Sequence, residues 1–454
     1  MKIPHKKPIF SEKRTPIISI TALITLVLVI VGLLVLRSIF TGEIQPLQLS
    51  TPTATRTANS YLEEGQAYFE TGNLNSAIEA YQDALLVDPE NVSVLTELAR
   101  IQTYSSTLLT DQRKSERLQQ ALDNIDRAVE IDEFNSNAHA VRTLVLNWNA
   151  SAAGTLEERE TYLAEASQAA VRAVQLDNGN ALAIAYRAEV LADQLQLTQA
   201  RQLSELAISI EPNSMDTHRV YAYILESYGN YSQAIEEYKI ASSIMPNLTF
   251  LYISIGQNYR QLQLYDQALD YFDKAATINE TLQIEDPLPY VAIAKTYSRM
   301  GEFFIAARNA QRALDFDPNN PDLYGQLGVI FFRSRNYEGS IPVLKCAVEG
   351  CTAEENEEQE IDVIGLPLDN NSVVYYYTYG SVLAALNECD RALDILEQVE
   401  SIYSADETIM SIVQESTFIC QSLESGQPIE LPSATPSVEI TEEGDMMEEG
   451  TPEP

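Results

Sequence analysis

A recurrence of small residues governs what this chain can fold into. From Gly72 the sequence places Ala77, Tyr81, Ala84 and Pro89, and the same offsets return from Gly229 as Ala234, Tyr238, Ala241 and Pro246. A third copy runs Gly301, Ala306, Ala310, Ala313 and Pro318. Other stretches keep part of it: Ala200, Ala207 and Pro212; Ala268, Phe272 and Ala275; and Ala392. An upstream half precedes the second half at a fixed distance, in Gly65 with Tyr68, Gly256 with Tyr259, Ala294 with Tyr297 and Gly328 with Phe331. The period is 34 residues, and a fixed period of this size marks an array of stacked units.

Two antiparallel helices per unit explain the offsets. A Gly or Ala on the first helix is expected to face an Ala on the second, because only small side chains let the axes approach until the large residues interlock. The aromatic nine positions on fills the seam between units. A second Ala admits the following helix, and Pro ends the second helix, since it cannot continue one and restricts its predecessor.

These residues resemble the tetratricopeptide repeat, a helix-turn-helix of 34 residues with small, aromatic and proline positions in this order. The resemblance covers about three quarters of the chain and implies an all-α, right-handed α-solenoid. The expected units are about nine: 58–91, 92–135, 136–180, 181–214, 215–248, 249–282, 287–320, 321–350 and 373–404. The second and third are overlong, with insertions near 104–118 and 150–160, and an acidic loop, expected to be mobile, fills 350–372. Residues 405–425 are expected to cap the apolar face of the last unit.

The two ends read differently. Ile17–Leu36 is an apolar run interrupted only by Ser19, Thr21, Thr25 and Gly32, long enough at about 1.5 Å per residue to cross a roughly 30 Å hydrocarbon layer as one transmembrane helix at 17–36. Lys2, Lys6, Lys7, Lys13 and Arg14 precede it, so the positive-inside bias makes 1–16 a basic cytoplasmic segment and places the repeats on the extracytoplasmic side. A cleavable signal peptide fits less well, because the run is too long and no small-x-small site follows it. Residues 37–57 read as a flexible stalk. From Gly426 to Pro454 there are five prolines, eight acidic residues and no basic one, the composition of a disordered tail.

Charge narrows the function. With 66 acidic against 29 basic residues the formal net charge is −37, which argues against nucleic acid as a partner. Three histidines and four cysteines leave little material for metal or nucleophilic chemistry, so neither metal nor cofactor is expected. The cysteines read as two disulfides, Cys389 with Cys420 across a helical hairpin and Cys346 with Cys351 across a turn, or else as buried free thiols. Their spacing does not suit zinc.

The resemblance implies that positions 2, 5, 9, 12 and 13 of each unit line a concave groove. Arg219, Arg260, Lys295, Arg299 and Arg333 fall there, among Tyr223, Phe250 and Tyr377, with the acids fewer, mainly Asp216, Glu226 and Asp322. This reads either as a basic, aromatic groove for an extended peptide or protein segment, or as cations paired with acidic neighbours. The carboxylate clamp of chaperone-docking repeats is absent, Leu62 and Gln66 standing at its positions. The Tyr-rich stretch Val373–Gly380 and Trp148 read as packing. No phosphate loop, HExxH or GxSxG occurs. The expected role is a non-catalytic, membrane-anchored scaffold for protein partners, in a bacterium one of envelope assembly or secretion. The alternative is an accessory subunit of an envelope hydrolase, or a divergent hydrolase, with its site in the insertions at 104–118, 150–160 or 350–372. The oligomeric state is not legible.

Overall fold

The computed structural model describes residues 20–40, 56–356 and 358–425, and the chain divides into the units Met1–Arg56 and Thr57–Pro454. In the first unit, α1 covers Ile20–Phe40, and its described side chains from Leu23 to Leu34 are exposed. Among the described residues no helix is long and apolar enough to cross a membrane. The basic segment 1–16 and the tail 426–454 lie outside the described residues, as does most of the stalk. The stalk's first residues, 37–40, continue α1 instead.

The second unit is built of paired helices. They are α2 (Ala58–Glu70) with α3 (Leu74–Val87), α4 (Val92–Ser105) with α5 (Asp111–Ile131), and α6 (Ser136–Ser151) with α7 (Leu156–Leu176). Next come α8 (Ala181–Asp193) with α9 (Leu197–Ile210), α10 (Met215–Ser227) with α11 (Tyr231–Ile244), and α12 (Thr249–Gln261) with α13 (Tyr265–Leu282). The last pairs are α14 (Leu288–Met300) with α15 (Phe303–Phe316), α16 (Pro321–Arg333) with α17 (Tyr337–Val348), and α18 (Val373–Ala385) with α19 (Cys389–Tyr403), followed by α20 (Glu407–Ser425). The insertions of the second and third units lengthen their second helices, α5 and α7, to 21 residues each. The first of them also adds a 3-10 turn, Ser106–Leu108.

Seven of the nine hairpins, all but α4–α5 and α6–α7, turn in the same way. Residues 72, 195, 229, 263, 301, 335 and 387 all have positive φ, between 58° and 81°. The next N–H in each case donates to the carbonyl five residues back, at 2.8 or 2.9 Å, from Asn73 to Tyr68 through Glu388 to Leu383. This closure satisfies carbonyls left open at the end of the first helix. The glycine opening the repeat pattern is therefore a turn residue, replaced at some cost by Leu195, Gln263, Arg335 and Asn387. Second helices stop two residues before Pro89, Pro212, Pro246 and Pro318, and side chains of Asn91, Asn135, Asn180 and Asn320 cap first helices.

The alanines of the pattern are buried without exception, Ala77, Ala84, Ala234, Ala241, Ala306 and Ala313 among them. The small residue of the first helix, however, faces a different partner from the one expected. A Cβ added at Gly256 would lie 2.4 Å from the Phe272 ring, and one at Gly65 2.9 Å from Tyr81. Gly328 and Gly380 meet Leu344 and Leu396 in the same way. It is the large residue nine positions past the turn, not an alanine, that requires the glycine, because a ring crossing directly over the opposite helix leaves no room for a methyl group.

The array curls until distant units touch. Asn247 Nδ2 donates to the Thr71 carbonyl at 3.0 Å, and a Cβ at Gly72 would fall 2.5 Å from that of Asn247. Farther along, Arg113 pairs with Asp317 at 2.7 Å and Thr110 Oγ1 bonds the same carboxylate. The 104–118 insertion thus fastens the second unit to the end of the seventh.

At the far end Cys346 is bonded to Cys351 and Cys389 to Cys420. The acidic segment expected to be mobile is held down: Cys351 and Val363 exchange both backbone hydrogen bonds, and Leu366 N–H donates to the Ala347 carbonyl. Asn356 bonds the Tyr324 hydroxyl at 2.8 Å and Tyr376 O–H donates to the Leu366 carbonyl at 2.6 Å.

Candidate functional site

First helices present the same register positions toward the inside of the curl, and there they leave a chamber of about 450 Å³. Its walls come from the 3-10 turn and the start of α5, from the first helices α6, α8, α10, α12, α14 and α16, and from Tyr238 on the second helix α11. The volume falls within the roughly 300–1,000 Å³ common to small-ligand sites. Aromatic and aliphatic side chains dominate one wall, with Trp148, Phe250, Ile253, Leu288 and Leu323.

Beside the chamber lies a buried charged network. Arg219 engages Glu189 with both terminal nitrogens at 2.8 and 2.7 Å, and Trp148 Nε1 adds a third donor at 3.1 Å. Asp216 accepts from Arg100 at 3.0 Å, from the Tyr186 hydroxyl at 2.8 Å and from the Tyr104 hydroxyl. Phe250 stacks on Tyr104 with ring centroids 5.5 Å apart. Buried charges survive only when paired this completely.

Two carboxyls are held differently. Asp193 takes its hydrogen bonds from neutral donors, Asn147 Nδ2 at 2.6 Å and the Tyr223 hydroxyl. Asp286 takes Asn279 Nδ2 at 2.8 Å and the Leu288 N–H at 2.9 Å. Burial pushes Asp193 up to about 6, against the pull of the Tyr223 hydrogen bond. Burial likewise pushes Asp286 up to about 7.

The groove residues read from the sequence divide. Arg219, Tyr223 and Phe250 line the chamber. Arg260 is buried over the Phe272 ring at 5.8 Å, and Arg333 reaches Ser298 Oγ at 3.3 Å. Lys295 is half-buried, Arg299 exposed and Tyr377 buried, all three away from the chamber. Arg219 points at no groove ligand, its fork being closed on Glu189. Sequence reasoning passed over Glu189, Asp193, Asn147 and Asp286. The signal was present for the first three: counting from Ala181, Glu189 and Asp193 occupy positions 9 and 13, and counting from Ser136, Asn147 occupies position 12. Trp148, read as packing, also forms part of the chamber wall.

Three segments match models of one repeat: residues 65–102 by the description TPR repeat, and 251–282 and 291–353 by the description tetratricopeptide repeat. Those three segments are similar to the tetratricopeptide repeat. Such repeats generally serve as protein-interaction scaffolds. Among curated proteins it is similar to protein kinesin light chain-related 3 of Arabidopsis thaliana, 25% identical over 238 residues, which is 46% of this chain and 36% of that protein. It is 30% identical over 122 residues to the BBSome complex member BBS4 of Bos taurus, 26% of this chain and 22% of the relative. Anaphase-promoting complex subunit 3 of Schizosaccharomyces pombe is 22% identical over 200 residues, 44% of this chain and 27% of the relative. The matched parts thus span about a third or less of these relatives. Among solved structures, yeast Tom70 is similar at TM-score 0.47 and 11% identity, over 82% of this chain and 90% of that one. A thermophilic TPR protein of Thermus thermophilus is similar at TM-score 0.37 and 19% identity, over 44% of this chain and 98% of that one.

Proposed function

We propose that this chain is a non-catalytic interaction scaffold, held at a membrane by the apolar segment Ile17–Leu36 with its repeats on the extracytoplasmic side, and that a protein or extended peptide partner is read in the chamber. In a bacterial cell this places it in envelope assembly or secretion. One observation carries the reading: several units supply chamber walls from the same register positions, leaving a cavity that stacking alone does not require. Two of the relatives are by name members of multi-protein complexes, which supports a scaffold. The apolar run, free of charged residues, and the basic residues before it support the anchor.

The hydrolase alternative gains nothing from the insertions at 104–118 and 150–160. Residues 104–118 supply Thr107, Leu108, Leu109, Thr110 and Lys114 to the chamber and no carboxylate. Residues 150–160 run from the end of α6 into α7.

The test is cross-linking capture with the tagged full chain beside a Ser254→Trp variant, which fills the chamber from its α12 wall. Loss of specific partners from the variant at unchanged thermal stability supports the chamber; identical capture removes it. Alkaline extraction checks the anchor: full-length protein should stay with the membranes and a chain lacking 17–36 should leave them. Release of both contradicts anchoring.

A further inference from the structure

The walls of the chamber are unequal in charge. Glu189, Asp193, Asp286 and Asp322 line it against Lys114 and Arg219, and neither cation lacks a partner. Arg219 neutralises Glu189. Asp322 accepts from Gln326 and from the Tyr375 hydroxyl, both at 2.5 Å, so Asp193, Asp286 and Asp322 are all held by neutral donors.

A second observation is independent of the acids. Asn147 is 2% exposed, and its Oδ1 has no hydrogen-bond partner. Its amide orientation is fixed, because the opposite atom, Nδ2, donates to the Asp193 carboxylate at 2.6 Å. A buried acceptor left open beside a carboxylate whose hydrogen bonds come only from neutral donors, with Arg159 acting on it through charge alone, calls for a ligand rich in N–H donors. An ammonium group brings three donors and a positive charge together, and although Arg219 lies over the Trp148 ring at 5.6 Å and Phe250 stacks on Tyr104 at 5.5 Å, both rings also line the chamber and offer apolar surface to the body that carries the ammonium.

We propose that the chamber binds an organic ammonium group, received by Asp193 and Asn147 Oδ1, with its apolar body against Trp148 and Phe250. This rests on the reading of the chamber as the binding site and names its ligand chemistry. The ammonium can belong to a free small amine or to the N-terminus of a partner peptide.

Trp148 is the sole tryptophan of the chain, so its emission reports the chamber directly. Full-chain protein is titrated with phenethylamine, with the neutral 2-phenylethanol, and with a Phe-Ala-Ala amide whose N-terminus is free or acetylated. Phenethylamine should change the emission saturably and bind at least about tenfold tighter than the alcohol, a difference expected of one buried charged hydrogen bond. Preference for the free peptide over phenethylamine and over its acetylated form identifies a chain terminus; equal or weaker binding of the peptide identifies a free amine. Asp193→Asn should lower the affinity about tenfold while leaving the melting curve at pH 4 unchanged. Asp193 faces Glu189 on its own helix, Arg159 on α7, Tyr223 on α10 and Asn147 on α6; Lys114, Arg219, Asp286 and Asp322 complete the chamber. Because the carboxyls must lose their protons to attract the ammonium, affinity should rise between pH 5 and 8 and flatten in Asp193→Asn. Equal binding of amine and alcohol, an unaltered Asp193→Asn, or no change in Trp148 emission with any probe overturns the proposal. Partner capture that stays sensitive to Ser254→Trp would then leave the scaffold reading standing.

Discussion

The two ends of the array use one repeat for different purposes. In units two, four and five the first helices carry charge inward: Glu189, Asp216 and Arg219 are buried, Arg100 is half-buried, and all four are paired. In the last unit the equivalent helix buries Tyr375, Tyr376, Tyr377 and Tyr379, and disulfides tie the elements around it. A buried ion pair gives no stability that a well-packed apolar pair could not match. Its retention in one half only, around a chamber, teaches that the small-residue pattern sets the stacking while the first-helix face remains free to serve a site.

The largest expected effect breaks the charged half. Asp216→Ala removes the carboxylate shared by the Tyr104 and Tyr186 hydroxyls, leaving them only each other at 3.2 Å, and removes one of the two acidic partners of Arg100. It should lower stability by about 4 kcal/mol in denaturant titration, whereas Tyr375→Phe in the other half should cost about 1 kcal/mol or less. Comparable losses would erase the contrast.

Reduction acts on the opposite end. The Cys389–Cys420 bond spans 31 residues, so opening it should cost about 3 kcal/mol through the unfolded chain. Amide exchange should then quicken in α19 and α20 and leave α8 and α10 as they were. Faster exchange in both regions would show that the halves are not separable.

Paired glycine substitutions sharpen the account of the curl. Gly72 and Gly229 occupy the same turn position with φ of 77° and 73°, so alanine at either carries the left-handed cost of about 1–2 kcal/mol. Only at Gly72 does the new methyl also strike Asn247, whereas Gly229 has nothing within 4 Å. Gly72→Ala should therefore be the more destabilising by about 1–2 kcal/mol in thermal melts. Equal effects would mean that the two turns do not press on each other.

The smallest effect is one of pH. Asp193 and Asp286 titrate near 6 and 7 in the fold against 3.8 ordinarily, so between pH 4 and 7 the native state holds more protons than the unfolded chain. Stability from these groups is present at low pH and declines as pH rises through that window. Asp193→Asn should accordingly raise stability by about 1–2 kcal/mol at pH 8 and leave it unchanged at pH 4. A variant less stable at pH 8 would contradict the assignment.

Much of the fold was legible because its cause is local. Turn, alanine seam and proline stop recur within one unit, and each leaves a residue-level mark such as Gly72, Ala77 or Pro89. The partner of the first-helix glycine was misread because spacing alone does not say which opposing residue crosses it. The chamber was only half legible. Of the residues read from register, Arg219, Tyr223 and Phe250 line it, but weighing cations by position overlooked Glu189, whose closure on Arg219 joins neighbouring units and has no signature within either. The contacts of Thr71 with Asn247 and of Arg113 with Asp317 were invisible for the same reason, since they depend on curvature summed over several units.

That curvature is the claim from which chamber, clasp and ligand reading all follow. Its most direct measurement is the distance between spin labels at Glu70 and Ser243, exposed positions flanking the Thr71–Asn247 contact, with all four native cysteines already in disulfides. A single short, narrow distance distribution is predicted for the curled array. A long, broad one would mean that the repeats form an open rod with no enclosed chamber.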